Sequence, residues 1–188
     1  MGKKLQEKFD DNRLSILQAA TTLFAKKGVM GASFSDIAKE VKLSKGTVSY
    51  YFPSKEHLVY EVNEFNLGAI TAMVFKWIES LQPGQNPKEA VKTLLGQLSE
   101  SAECMSLELC MMFECMQDTF GLKKRVVEKL YEWKTMLKIG LMKIGLSGGR
   151  LDAYTVICCA LMESLIVRSS LGVETHSVDV LFDELDKE

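Results

Sequence analysis

Residues 33–54 read Ser33-Phe34-Ser35-Asp36-Ile37-Ala38-Lys39-Glu40-Val41-Lys42-Leu43-Ser44-Lys45-Gly46-Thr47-Val48-Ser49-Tyr50-Tyr51-Phe52-Pro53-Ser54, and this stretch decides the fold. Three serines stand where helices can begin. Ser33, with an acid three residues on at Asp36, has the pattern of a capping box. A helix to about Val41 follows, with Ile37 and Ala38 facing inward. Lys42-Leu43 makes a turn, and Ser44 caps a second short helix from about Lys45 to Tyr51. Pro53 closes it, because the residue before a proline is driven out of the α region. Ser54 then opens a further helix.

Upstream, Ile16, Ala20, Leu23 and Phe24 fall on one face of a helix from about Asp10 to Lys27. Acidic residues open that helix, and Lys26-Lys27-Gly28 closes it, as the dipole and left-handed capping favour. Met1–Phe9 carries Lys3, Lys4 and Lys8 and is expected to be a mobile arm. One longer helix followed by two short ones across a tight turn is the helix-turn-helix arrangement. Its second short helix must be slim and polar outside to enter a major groove, and apolar inside. Val48 is the inward residue. Lys45, Thr47, Ser49 and Tyr50 can reach bases and phosphates, Gly46 lets a DNA backbone approach, and free N–H groups at a helix start attract phosphate. Charge agrees: residues 1–60 hold 10 Lys/Arg against 6 Asp/Glu, whereas residues 61–188 hold 13 against 19. A basic head on an acidic body suits a polyanionic partner for the head.

The run Phe34–Leu58, with its Ser44-Lys45-Gly46-Thr47 and Phe52-Pro53-Ser54-Lys55, resembles the head of the TetR/AcrR family. So does the first helix, Ile16-Leu17-Gln18-Ala19-Ala20-Thr21-Thr22-Leu23-Phe24-Ala25-Lys26-Lys27-Gly28. The resemblance covers about residues 13–60. It implies that Lys45, Gly46, Thr47, Tyr50 and Tyr51 lie on DNA and that Lys55 contacts a phosphate. It also implies that Ser33 and Ser44 cap helices and touch the DNA backbone. The family often has Tyr at the position of Ser49 and His at that of Tyr51, which shifts the phosphate clamp by one residue. Phe52 reads as a core aromatic. The implied architecture is all-α: an N-terminal three-helix helix-turn-helix DNA-binding head, residues 10–58, joined by a long helix to a C-terminal helical ligand-binding and dimerisation domain, residues 59–188.

Downstream, a helix from Lys55 to about Leu81 carries one stripe of Leu58, Val62, Phe65, Ala69 and Ala72, and a second of Ile70, Met73 and Trp77. Gln82–Pro87 is a linker, with Pro87 suited to a first helical turn. A helix with Val91, Leu94, Leu98 and Ala102 comes next, then a Met/Cys-rich one from about Ser106 to Phe120. The helix from about Leu122 to Leu146 shows Val126, Leu130, Trp133, Leu137, Leu141 and Ile144 on one face. Ser147-Gly148-Gly149 is a turn. The Leu151–Leu171 helix is apolar nearly all round, which requires burial on two sides. Pairing it with the 122–146 helix across a two-fold axis makes a four-helix bundle. Such a homodimer would set two heads on a near-palindromic double-stranded operator. A last amphipathic helix is expected near Val178–Leu185.

Met73, Trp77, Cys104, Met105, Met111, Met112, Met116 and Trp133 are candidates to line a pocket for a small, mostly apolar effector, since methionine and cysteine adapt to apolar guests. Plain core packing is the competing reading for each. Glu108, Glu114 and Glu163 sit among apolar neighbours; any that is buried needs a partner such as a ligand, Arg168 or water. An enzyme is not expected, because no nucleophile–base pair or phosphate loop is visible and the histidines number two, His57 and His176. Cys104, Cys110 and Cys115 are six and five residues apart, spacings that do not suit zinc, and Cys158-Cys159 reads as small core residues. No metal or cofactor is expected. Neither a signal peptide nor an apolar run long enough for a bilayer is read, so a cytoplasmic location is expected. A DNA-binding dimer without a small-molecule ligand, architectural or adaptor, is the alternative.

Overall fold

A computed structural model describes residues 2–173, and all regular structure in them is helical. The helices are α1 (Gly2–Gly31), α2 (Phe34–Glu40), α3 (Lys45–Tyr51), α4 (Lys55–Ser80), α5 (Pro87–Ser99), α6 (Ala102–Gln117), α7 (Lys123–Lys143) and α8 (Gly148–Leu171). The expected helix at Val178–Leu185 lies outside the described residues.

The serine caps form as the sequence dictates. Ser33 and Asp36 make a reciprocal capping box, Ser44 accepts from the Thr47 N–H, and Ser54 accepts from the His57 N–H. Asn86 caps α5 with Pro87 in its first turn. Lys143 donates to the carbonyls of Ile78 and Glu79, satisfying the open end of α4. The expected mobile arm is instead helix: α1 starts at Gly2, since nothing after Gly2 breaks it and Phe9 finds aromatic partners. At Gly28 the chain turns with φ 74° and ψ 163°, a backbone open essentially to glycine alone, so α1 kinks there.

Two cores stack along α4. The first joins Ile16, Phe24, Ile37, Val48, Phe52, Leu58, Val59 and Val62 with Leu107, Met111 and Cys115 of α6 and Val126 of α7. The second begins at Leu67 and takes in Ile70, Trp77, Leu94, Leu98, Met105, Trp133, Leu137, Cys158, Met162 and Ile166. Helix α6 therefore packs against α1 as well as α8.

Three expected details change. On α4, Phe65 is 38% exposed and Ala72 is exposed; the buried face instead runs through Asn63, Asn66, Leu67, Ile70, Val74 and Trp77. An apolar stripe misses it because two of its members are asparagines. Ala102 opens α6 and is exposed, rather than extending the face of α5. Gly148 and Gly149 lie in the first turn of α8, not before it. Helix α8 is also, by length and composition, apolar enough to cross a bilayer, contrary to expectation. Its buried face packs on α5, α6 and α7, and its outer side carries Asp152 and Glu163 among apolar residues.

The second core is tight at one crossing. A Cβ on Gly140 of α7 would stand 2.4 Å from Cζ3 and 2.7 Å from Cη2 of Trp77. The indole cannot retreat easily, since its Nε1–H donates to the Ala90 carbonyl at 2.7 Å. Nearer the head, Arg125 of α7 grips Glu64 of α4 with two hydrogen bonds of 2.6 and 2.8 Å, and this holds the Glu64 carboxyl below its ordinary range.

Candidate nucleic-acid interface

Helix α3 lies on the outside of the first core. Val48 faces inward and is fully buried, and the following Phe52 seals the same core. Ser44, Lys45, Gly46 and Tyr50 are exposed, and Thr47 and Ser49 half-buried, so α3 presents a polar face outward. Tyr50 is 73% exposed, unusual for an aromatic with no outside partner.

Gly46 is informative. Its backbone is ordinary helix, and an added Cβ would meet nothing closer than Ser44 Oγ at 3.6 Å. Glycine inside a helix costs roughly 0.5–1 kcal/mol relative to alanine. Nothing in the fold requires a glycine here.

The hydroxyls are pre-set by local bonds. Ser33 Oγ donates to Asp36 Oδ2 at 2.6 Å. Ser44 Oγ and Thr47 Oγ1 are 2.8 Å apart. Asp36 is held below the ordinary carboxylate range by its bonds to the Ser33 side chain and backbone. Ser33, Lys45, Ser49, Ser54 and Lys55 border one concave surface between the starts of α2 and α4. The caps thus place two helix starts, with their open N–H groups, beside two lysines.

Two residues are less free than expected. Lys55 is half-buried: its ammonium donates to the Ala32 carbonyl and sits 4.8 Å above the Phe24 ring, and burial lowers its pKa. It fastens the α1–α2 connection while lining the concavity. Tyr51 packs on Phe9 with ring centroids 4.6 Å apart, and its hydroxyl accepts from Asn12 Nδ2 at 3.2 Å. Phe9 also meets Tyr50 edge-on at 6.3 Å. Tyr51 is therefore partly a brace between α1 and α3, and Phe9 and Asn12 are site-supporting residues that the sequence reading missed. An aromatic at Phe9, together with the Tyr50-Tyr51 pair, was the available signal.

The ligand candidates are not brought together as a set. Trp77, Met105 and Trp133 are buried in the second core, and Met73, Cys104 and Met112 pack against it. Met111 belongs to the first core, and Met116 is 75% exposed. The twist of α6 turns its methionines towards different neighbours, so shared composition does not make a shared lining. Of the eight, Trp133 lines an open groove between α7 and α8, together with Tyr131, Val156, Cys159 and Glu163.

Of the three glutamates, Glu108 is fully buried, Glu114 nearly so, and Glu163 exposed. Glu108 accepts from Asn66 Nδ2 at 2.8 Å, and burial pushes its carboxyl up to about 7. The thiols are all pushed up, chiefly by burial, Cys115 to about 11 and Cys158 to about 12, which suppresses thiolate chemistry. Among the described residues no three His, Cys, Asp or Glu side chains gather as a metal site would need.

Comparison with known proteins fits this geometry. The profile of a family described as bacterial regulatory proteins, tetR family, matches residues 16–62. The chain is 28% identical over 169 residues to the HTH-type transcriptional regulator LmrA of Bacillus subtilis, covering 86% of this chain and 87% of that one. It is 30% identical over 96 residues to the HTH-type transcriptional repressor KstR of Rhodococcus jostii, covering 50% of this chain and 42% of that one. Among solved structures, a putative transcriptional regulator from Saccharomonospora viridis in complex with choline shares the fold. It has a TM-score of 0.73 and 19% identity, and 94% of each chain is covered.

Proposed function

We propose, from the premise that the chain belongs to the TetR/AcrR family of transcriptional regulators, that this DNA-binding regulator is a homodimeric repressor. A small, mostly apolar effector would release it from its operator. The family's members are regulators, not enzymes. In this reading residues 10–58 are the reading head and residues 59–188 the sensing and dimerising body, working where the DNA is, in the cytoplasm. The observation that carries it is the outer face of α3: Lys45, Gly46, Thr47 and Tyr50 displayed over a buried Val48. Gly46 gives a phosphate room to approach, Lys45, Ser49 and Tyr50 reach bases or phosphates, and the Ser33 and Ser44 caps aim helix N–H groups at the backbone. Tyr51 and Lys55 position these groups and add contacts at the edge.

Dimerisation would use α7 and α8, the helices 122–146 and 151–171 of the sequence. Val156, Tyr131, Ile139 and Met142 are exposed there, and a second copy would cover them. Two heads would then meet half-sites about one or more helical turns apart, roughly 34–36 Å each. An effector that prefers the released state would act through α4, which carries both cores. A coupling of roughly 1–3 kcal/mol lowers operator affinity about 5–150-fold. The choline in the neighbouring structure supports small-molecule binding by this fold. The scatter of the methionine candidates favours the rival reading, a DNA-binding dimer without an effector.

A titration of purified protein against DNA from upstream of its own gene, at two salt concentrations with random DNA as control, tests the regulator. Site-specific binding with a steep salt slope is expected, and Lys45→Ala should reduce that slope by about one. Equal affinity for random DNA, there and in a genome-wide selection of bound fragments, would overturn sequence-specific reading.

A further inference from the structure

Between the two cores lies a buried polar layer. On α4 the first core ends at Val62 and the second begins at Leu67; the buried residues between are Asn63 and Asn66. On α6, Glu108 sits between Met105 of the second core and Met111 of the first. The relative exposures of Asn63, Asn66 and Glu108 are 0, 1 and 0%. One hydrogen bond, from Asn66 Nδ2 to Glu108 Oε2, joins α4 to α6 here. Both polar atoms of the Asn63 side chain, Asn66 Oδ1 and Glu108 Oε1 have no protein partner. With Glu108 ionised, exchanging the Asn66 oxygen and nitrogen would set an oxygen against the carboxylate, so it is the amide nitrogen that faces it. Buried polar groups are nearly always satisfied. Four such atoms without a protein partner in the interior call for a guest or ordered water to satisfy them.

The open set has a definite chemistry. Three of the four open atoms, Asn63 Oδ1, Asn66 Oδ1 and Glu108 Oε1, are acceptors, the fourth, Asn63 Nδ2, is a donor, and Glu108 can supply a negative charge. We infer that this layer recognises the ammonium head of a small primary amine, whose three N–H donors match three acceptors and whose apolar remainder lies among the aliphatic neighbours Leu67, Met105 and Leu107. The inference rests on reading the chain as an effector-responsive regulator and names the effector's polar head. Its position matters as much as its chemistry. A guest bridging Asn63 and Asn66 to Glu108 ties α4 to α6 at the boundary of the two cores, and both helices also build the head's core. Binding there alters how the head is seated without touching DNA.

The test uses the full chain and three probes in calorimetric titration: n-hexylamine, its trimethylammonium counterpart, which keeps the charge but has no N–H, and n-hexanol. Saturable binding of hexylamine is expected, at least tenfold weaker for the other two. Glu108→Gln, which keeps the shape and loses the charge, should weaken hexylamine at least tenfold while its helical circular dichroism stays unchanged. If that variant does not fold, Asn63→Ala, at a side chain with no protein partner, carries the same expectation. Absence of hexylamine binding, equal binding of the trimethylammonium probe, or full binding by the folded variant would overturn the inference; water would then fill the layer. A parallel operator titration separates the two readings. Specific amine binding that leaves operator affinity unchanged keeps the site and sinks the effector role, whereas loss of operator binding in the unliganded protein sinks the regulator reading itself.

Discussion

Replacing Glu108 with glutamine should make the protein more stable above neutral pH and abolish one component of its pH dependence. The carboxyl is fully buried against α4, and desolvation raises its pKa from 4.5 to about 7, opposed only in part by the hydrogen bond from Asn66. The folded chain therefore holds this proton more tightly than the unfolded chain does. Below pH 4.5 both states are protonated and no difference arises. Between 4.5 and 7 the unfolded chain releases the proton first, so stability falls as pH rises; above 7 the full cost of a buried charge is present. An interval of about 2.5 pH units, each worth about 1.4 kcal/mol, gives roughly 3 kcal/mol. The substituted glutamine can keep the Asn66 bond through its carbonyl and add a donor towards the open acceptors. Urea unfolding of both proteins at pH 5 and pH 8, at one protein concentration, isolates the effect, because the other carboxylates cancel in the difference. The wild type should lose about 2–3 kcal/mol relative to the variant between those pH values, since part of the cost is already present at pH 5. A difference that stays flat with pH would refute the reasoning.

Gly46→Ala separates folding from recognition. It should raise stability by about 0.5–1 kcal/mol, since there is room for the Cβ, yet weaken operator binding at least about tenfold; unchanged affinity would mean that nothing approaches this turn. Gly140→Ala should cost about 1–3 kcal/mol through the clash with Trp77, read as a drop of roughly 2–4 °C in melting temperature per kcal/mol; an unshifted melt would show that the indole yields. Val156→Glu places a charge at a position 59% exposed in the single chain, and sedimentation should show monomers if α7 and α8 form the dimer; an intact dimer would place the interface elsewhere.

The head was legible because its signals are local. Capping serines, a proline stop and a buried Val48 each report on neighbours within a few residues, and all three helix starts fall where the serines put them. The body was legible as helices but not as a site. Stripes on α7 follow from periodicity: its apolar residues share one face, with Val126 in the first core and Trp133, Leu137 and Leu141 in the second. On α4 the periodic signal fails midway, because Asn63 and Asn66 occupy the inner face and Phe65 the outer one. Glu108 could be suspected from its apolar surroundings, but its partner lies 42 residues away, a separation that pattern along the chain does not encode. The methionines misled for the opposite reason: their composition suggests a shared lining, while the twist of one helix distributes them between two cores and solvent.

The membership of Leu107, Met111, Cys115 and Val126 in the head's core bears on how such regulators can be recombined. A cut after residue 58 would leave that core with a missing wall. Swapping heads between chains of this architecture is then a matter of matching an entire inner surface, including about two turns of α6 and the start of α7. A hybrid built only on the sequence boundary would fuse a head to a body whose side chains no longer fit it. The same shared wall limits how independently the two halves can vary: a substitution near Met105 lies within two turns of a residue that the head depends on for its shape.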